Sequence, residues 1–127
     1  MPQVETSTPT AAPAAATSTT AAPPSAPQVS PEDRARAAAL LEQGRELQRE
    51  RGEGGAREAI ALYEQAIALD AALAAAHWEM GWSYQLLSDW DRVLEAWERV
   101  RAIDPAYPEL AKSFALARLR RDESRAL

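Results

Sequence analysis

The amino-acid sequence predicts an all-α solenoid, in which helix hairpins stack side by side, and three observations carry that reading. The stretch DWDRVLEAWERVRAIDPAY, from Asp89, repeats the pattern of AREAIALYEQAIALDAAL, from Ala56, at a shift of 34 residues. Ala59 falls on Val93, Ile60 on Leu94, Tyr63 on Trp97, Ala66 on Val100, Leu69 on Ile103 and Asp70 on Asp104. Between short breaks rich in Gly, Pro, Ser and Asp, apolar residues recur at helical spacing. The leading Pro/Ala/Thr/Ser segment has almost nothing to bury and stands outside any core. A period of this length built from two helices marks stacked hairpins, because no single hairpin buries its apolar stripe alone.

The elements follow in order. Residues 1–29 carry one charge, Glu5, and no large apolar side chain beyond Val4 and Val29. Ordering a backbone costs roughly 1–2 kcal/mol per residue, which such a segment does not offset, so a disordered tether is expected. SPED then opens a helix: Ser30 is a capping residue, Pro31 suits the first helical position, and Asp33 can complete a capping box. That helix should end near Arg51, before RGEGG. A second helix carries Ala56, Ala59, Ile60, Tyr63, Ala66 and Ile67 on one stripe. A third, about Leu73 to Leu87, places His77, Met80, Gly81 and Tyr84 on one side. SDW breaks it, with Ser88 or Asp89 as the cap of a fourth helix whose stripe is Trp90, Val93, Leu94, Trp97, Val100 and Ile103. DPAYP breaks the fourth, and a fifth runs from about Pro108 to Asp122 with Leu110, Phe114 and Ala117 on one face. The short turns make neighbouring helices antiparallel.

Composition bounds the function. All fourteen basic side chains and eighteen of the nineteen acidic ones follow residue 29, leaving that part near −4. Charge so mixed does not suit nucleic acid or an anionic membrane as a partner. The absence of cysteine removes disulfides and thiolate metal sites. No apolar run approaches a membrane span, and neither an n-region nor an h-region of a signal peptide opens the chain. As written, the chain is expected in the cytoplasm. A bacterial envelope location is the alternative if a leader or anchor has been removed, since Pro/Ala/Thr tethers often join such domains to their anchors.

Reactive groups are few. His77 is the only histidine and sits on the packed side of its helix, where a core role is expected rather than a catalytic or metal role. GEGG at Gly52 to Gly55 lacks the Lys-Ser/Thr ending of a phosphate loop and follows a helix rather than a strand. Charged residues at helical spacings, Glu46/Glu50, Glu95/Arg99 and Glu98/Arg101, read as a solvated face. No catalysis, cofactor or metal is therefore expected. Trp78 and Trp82, with Gln85 and Leu86, lie on average well over 100° around their helix from the His77/Met80/Gly81/Tyr84 face. That helix has two apolar faces, and its hairpin partner should cover only one.

From Ala74 to Tyr107 the chain resembles the tetratricopeptide repeat family. Gly81 is the family's small residue, Tyr84 and Trp90 are its aromatics, Trp97 is the large aromatic of the second helix, and Asp104-Pro105 closes the unit. Val93 and Val100 stand where the family prefers alanine, and His77 where it prefers tryptophan. A weaker unit, about residues 37–73, matches at Gly44, Ala59, Tyr63, Ala66 and Asp70, with Ala71 in place of proline and about three extra residues in the RGEGG turn. The resemblance implies a domain over 30–127, with repeats at about 37–73 and 74–107 and a capping helix over about 108–122.

It also implies a concave groove lined by the outward face of each first helix. Carried over residue by residue, these are Leu41, Arg45, Gln48 and Arg49; then Trp78, Trp82, Gln85 and Leu86; then Lys112, Leu116 and Arg120. Leu41, Arg45 and Glu79 stand where the family's carboxylate clamp needs Lys and Asn, so an acidic chaperone tail is not the expected ligand. The implied function is a non-catalytic adaptor that binds a partner peptide or helix bearing apolar and acidic residues. The alternative is a structural subunit that forms a homodimer through the Trp78/Trp82 face.

Overall fold

The computed structural model describes residues 28–126, so the expected tether, apart from its last two residues, lies outside the described residues. Among those residues there are five α-helices, a 3-10 turn and no strand: α1 Pro31–Arg51, the turn Gly52–Gly55, α2 Ala56–Leu69, α3 Ala74–Leu86, α4 Trp90–Ile103 and α5 Leu110–Ala126. No helix among them is long and apolar enough to cross a membrane.

Local chemistry sets the ends. The Ser30 hydroxyl accepts the Asp33 backbone N–H at 3.1 Å, and Pro31 occupies the first turn, where its missing N–H leaves nothing unsatisfied. Gly52 ends α1 at φ 56°, a left-handed backbone that its lack of Cβ permits. Ser88 takes the same region at φ 59° after α3, and Asp89 caps α4 by accepting the Arg92 N–H. The fifth helix starts two residues later than its sequence suggests, behind Glu109 at φ 66°, and runs four residues further. ESRA contains no Gly or Pro to stop it.

Two apolar clusters hold the helices. Ala37, Leu41, Ala59, Tyr63, Ala66 and Ala76 form one, and Val93, Leu94, Ala96, Trp97, Val100, Leu110, Phe114 and Ala117 form the other, with Met80 packed against both. Helix α1 packs on α2 and α3 on α4; α2 also packs on α3, α4 on α5, and α1 more lightly on α3. The pairs related by the 34-residue shift, Ala59/Val93, Tyr63/Trp97 and Ala66/Val100, are all buried. Ile103 departs from its stripe: at the last turn of α4 it is 37% exposed. Trp90 and Tyr84, expected in the core, are half-buried at its edges.

Each hairpin closes over a glycine. A Cβ on Gly44 would lie 2.8 Å from Cζ of Tyr63, and one on Gly81 would lie 2.5 Å from Cδ1 of Trp97. The chain between glycine and aromatic is three residues longer in the first hairpin. The Gly52–Gly55 turn takes up that excess without disturbing the packing.

Candidate functional site

The face of α3 that carries Trp78 and Trp82 is where the candidate residues gather. Because Gly81 has no side chain, Trp97 reaches the backbone of α3 and its indole slides beneath both neighbours. It stacks on Trp78 with centroids 4.9 Å apart at 26°, and meets Trp82 edge-on at 5.2 Å and 64°. Its Nε1 donates to the Trp78 carbonyl at 3.1 Å. This corrects the expectation that the hairpin partner covers a single face: an indole is wide enough to support both. Tyr107, in the turn before α5, also packs on Trp78, with centroids 5.3 Å apart at 45°. Trp78 and Trp82 touch at 5.7 Å and 84°.

Trp82, Gln85, Leu116 and Arg120 come together around a small cavity of about 60 Å³ between α3 and α5, with Trp90, Trp97, Ser113 and Ala117 completing its wall. Leu86 and Leu116 are 41% and 51% exposed beside it. Lys112 projects from the same helix into solvent and Arg49 from the end of α1, outside the cavity. Leu41 is placed elsewhere: only 6% exposed, it belongs to the first core cluster and offers a ligand little surface.

Two polar candidates of α1, Arg45 and Gln48, are engaged within the chain. Arg45 Nε donates to Glu79 Oε2 at 3.1 Å, and its Nη1 to Glu42 Oε2 at 2.5 Å. Gln48 Nε2 donates to the other Glu79 oxygen at 3.2 Å, and its own carbonyl accepts the buried Ser83 hydroxyl. Burial works against the charge of Arg45, but the hydrogen bonds and fields of Glu42 and Glu79 outweigh it and hold the guanidinium above its ordinary pKa. The Tyr107 phenol is likewise raised, by burial first, with Arg45 opposing and Glu79 reinforcing. Arg45 and Gln48 therefore join α1 to α3. Arg49, Lys112 and Arg120 have no ion-pair partner among the described residues.

No family model matches the chain, and no curated protein matches it.

Sequence reasoning missed Tyr107, Ser83, Ser113 and the wall position of Trp90. A signal existed for Tyr107: at the 34-residue shift it falls on Leu73, also a large apolar residue in a turn. Ser83 carried none, because a serine between Trp82 and Tyr84 reads as solvent-facing until α1 is laid across it.

Proposed function

We propose that this chain is a tetratricopeptide-like interaction module. Its two hairpins and last helix form a short α-solenoid, without catalysis, that takes a partner peptide or helix along α1, α3 and α5. The observation that carries this reading is the convergence of Trp82, Gln85, Leu116 and Arg120 on a cavity that no side chain among the described residues fills. A half-covered tryptophan beside an arginine without an ion-pair partner among the described residues is the chemistry of a binding hot spot, the indole supplying desolvated area and the guanidinium a bidentate grip on a carboxylate. Helix α5 adds five basic side chains against two acidic ones on a chain of net charge −5. A segment with an apolar anchor and one or two acidic residues fits these terms, and a groove this small fits micromolar affinity.

The test is calorimetric titration of a partner recovered from the native host. Trp82→Ala should weaken binding about thirtyfold or more, roughly 2 kcal/mol, with helical content intact. Arg120→Glu should weaken it in a manner that added salt partly hides. Undiminished affinity in both variants would remove the groove from the mechanism. A second reading, self-association through the Trp78/Trp82 face, is favoured by the exposed leucines of the helices that carry and flank it, Leu86 of α3 and Leu116 and Leu119 of α5, at 41%, 51% and 53%. Light scattering over a concentration series separates the two, since only the second requires a dimer.

A further inference from the structure

The 34-residue period continues past α4. The Asp104 N–H donates to the Val100 carbonyl as Asp70 does to Ala66, Tyr107 to Asp104 as Leu73 does to Asp70, and Leu110 to Tyr107 as Ala76 does to Leu73, all between 2.7 and 3.2 Å. Helix α5 therefore leaves α4 as α3 leaves α2. Ala76 and Ser83 turn to the hairpin before them, Ala76 in its core cluster and Ser83 bonded to Gln48. Their counterparts at the 34-residue shift, Leu110 and Ala117, are buried in the cluster of the hairpin before α5.

The other side of the helix breaks the correspondence. His77 and Gly81 are buried in α3, and α4 lays Trp97 into the Gly81 notch. Their counterparts Ala111 and Ala115 are exposed, because among the described residues α5 packs on α4 alone. Leu119 continues their stripe one turn on and is 53% exposed. Lys112 and Arg118 stand on its two edges, about 60° to either side of Ala115. Neither has an ion-pair partner among the described residues. A cleft of about 190 Å³ opens along the Arg118 edge, between Ala111, Phe114 and Ala115 of α5 and Arg101 and Pro105 at the end of α4. Arg101 and Arg118 both rest on the Phe114 ring, 5.1 and 4.9 Å from its centroid, and only Arg101 is neutralised, by Glu98.

We infer that this side of α5 is a docking surface for an acidic amphipathic helix of a partner protein, which lies on α5 as α4 lies on α3. The internal repeat sets the shape of the occupant: the face α3 gives to α4 is a face for a helix. Charge sets its sign. Cations line both edges of the stripe, so carboxylates flanking the partner's apolar residues meet Lys112 on one side and Arg118 on the other. The α5 of a second copy does not suit, since each such helix carries five basic side chains against two acidic ones. Notch depth sets the size of the central residue. A Cβ at Gly81 would stand 2.5 Å from Cδ1 of Trp97, and Ala115 has that Cβ, so a leucine fits over it and an indole does not. Leu116 and Arg120 lie about 100° and 140° around α5 from Ala115, which separates this surface from the groove proposed above.

Synthetic helices titrated into the full ¹⁵N-labelled chain test the assignment. Two carry the same leucine stripe, flanked by glutamates in one and by lysines in the other; a scrambled form of the glutamate helix and a form with tryptophan at the central position complete the set. The glutamate helix should bind at least tenfold tighter than the lysine and scrambled helices, and should shift the amides of Ala111, Ala115 and Leu119 but not the Trp82 indole. Arg118→Glu and Lys112→Glu, both exposed changes, should each weaken it at least tenfold, whereas Trp82→Ala should not. In Ala115→Gly the preference for leucine over tryptophan should reverse, a ratio within one variant that any fraying of α5 leaves intact. Equal affinity for the glutamate and lysine helices, shifts centred on Trp82, or binding unchanged in both charge reversals would overturn the inference. A free chain whose mass doubles with concentration, and returns to the monomer in Arg118→Glu, would overturn it in favour of a second copy.

Discussion

Trp97 occupies the notch that Gly81 leaves in α3 and hydrogen-bonds the carbonyl of Trp78 at 3.1 Å, so one indole holds the hairpin by packing and by a polar bond at once. In an open helix, Gly→Ala is stabilising by about 1 kcal/mol. Here the added Cβ overlaps the indole, and overpacking costs typically about 1–3 kcal/mol. Gly81→Ala and Gly44→Ala should therefore lower the urea midpoint. Gly54→Ala, with nothing within 4 Å, should leave it unchanged or raise it. A gain at all three positions would show that the notches are not filled.

Tyr63 is the first hairpin's counterpart of Trp97, but its hydroxyl is buried without a partner among the described residues. Burial raises its pKa far above the ordinary phenol value, so it stays neutral. Removing an unsatisfied hydroxyl is neutral or favourable. Tyr63→Phe is expected to hold or raise stability, by up to about 1 kcal/mol, whereas Tyr63→Ala should lose about 3–5 kcal/mol. A loss above about 1 kcal/mol for the Phe variant in chemical denaturation would mean that the hydroxyl has a hydrogen-bond partner.

Trp78 is half-covered by Trp97 and Tyr107, whereas Trp97 is fully buried. Trp97→Ala should cost about 3–5 kcal/mol and Trp78→Ala clearly less. Equal losses in urea unfolding would show that the Trp78 face is as much core as the other.

Arg45 and Glu79 join α1 to α3 in a partly exposed pair, with side chains 31% and 19% accessible. Solvent screening limits such a pair to about 1 kcal/mol or less. A double-mutant cycle of Arg45→Met and Glu79→Gln should give a coupling of that size, smaller in 1 M salt. Zero coupling at low salt would reassign the cohesion of α1 and α3 to apolar contacts alone.

The buried imidazole makes stability depend on pH in a defined direction. Its folded pKa lies below the unfolded value near 6.5, so the unfolded chain takes up the proton first as pH falls. The contribution is fully present above about pH 6.5 and is lost as pH drops toward the folded pKa. Urea midpoints measured from pH 7.5 down to 5.5 should fall, and His77→Phe should flatten that slope. An identical slope in the variant would place the titration elsewhere.

The sequence by itself determined the helices, their order and the register of the buried stripes. These rest on spacings of a few residues and on one spacing of 34, which any reader of the chain can count. The repeat pattern also singled out Gly44, Gly81, Tyr63 and Trp97, but that each aromatic closes on its glycine belongs to the tertiary structure. Only the tertiary structure decided how the outward side chains are used. Arg45 and Gln48 turn to Glu79 and Ser83, residues 31 to 35 positions away, and Leu41 turns into the core. Trp97 supports two faces of α3 and leaves Trp82 beside a cavity. Helical periodicity places a side chain on a face, but which rotamer it takes depends on the surface another helix brings there, and that surface comes from a distant part of the chain.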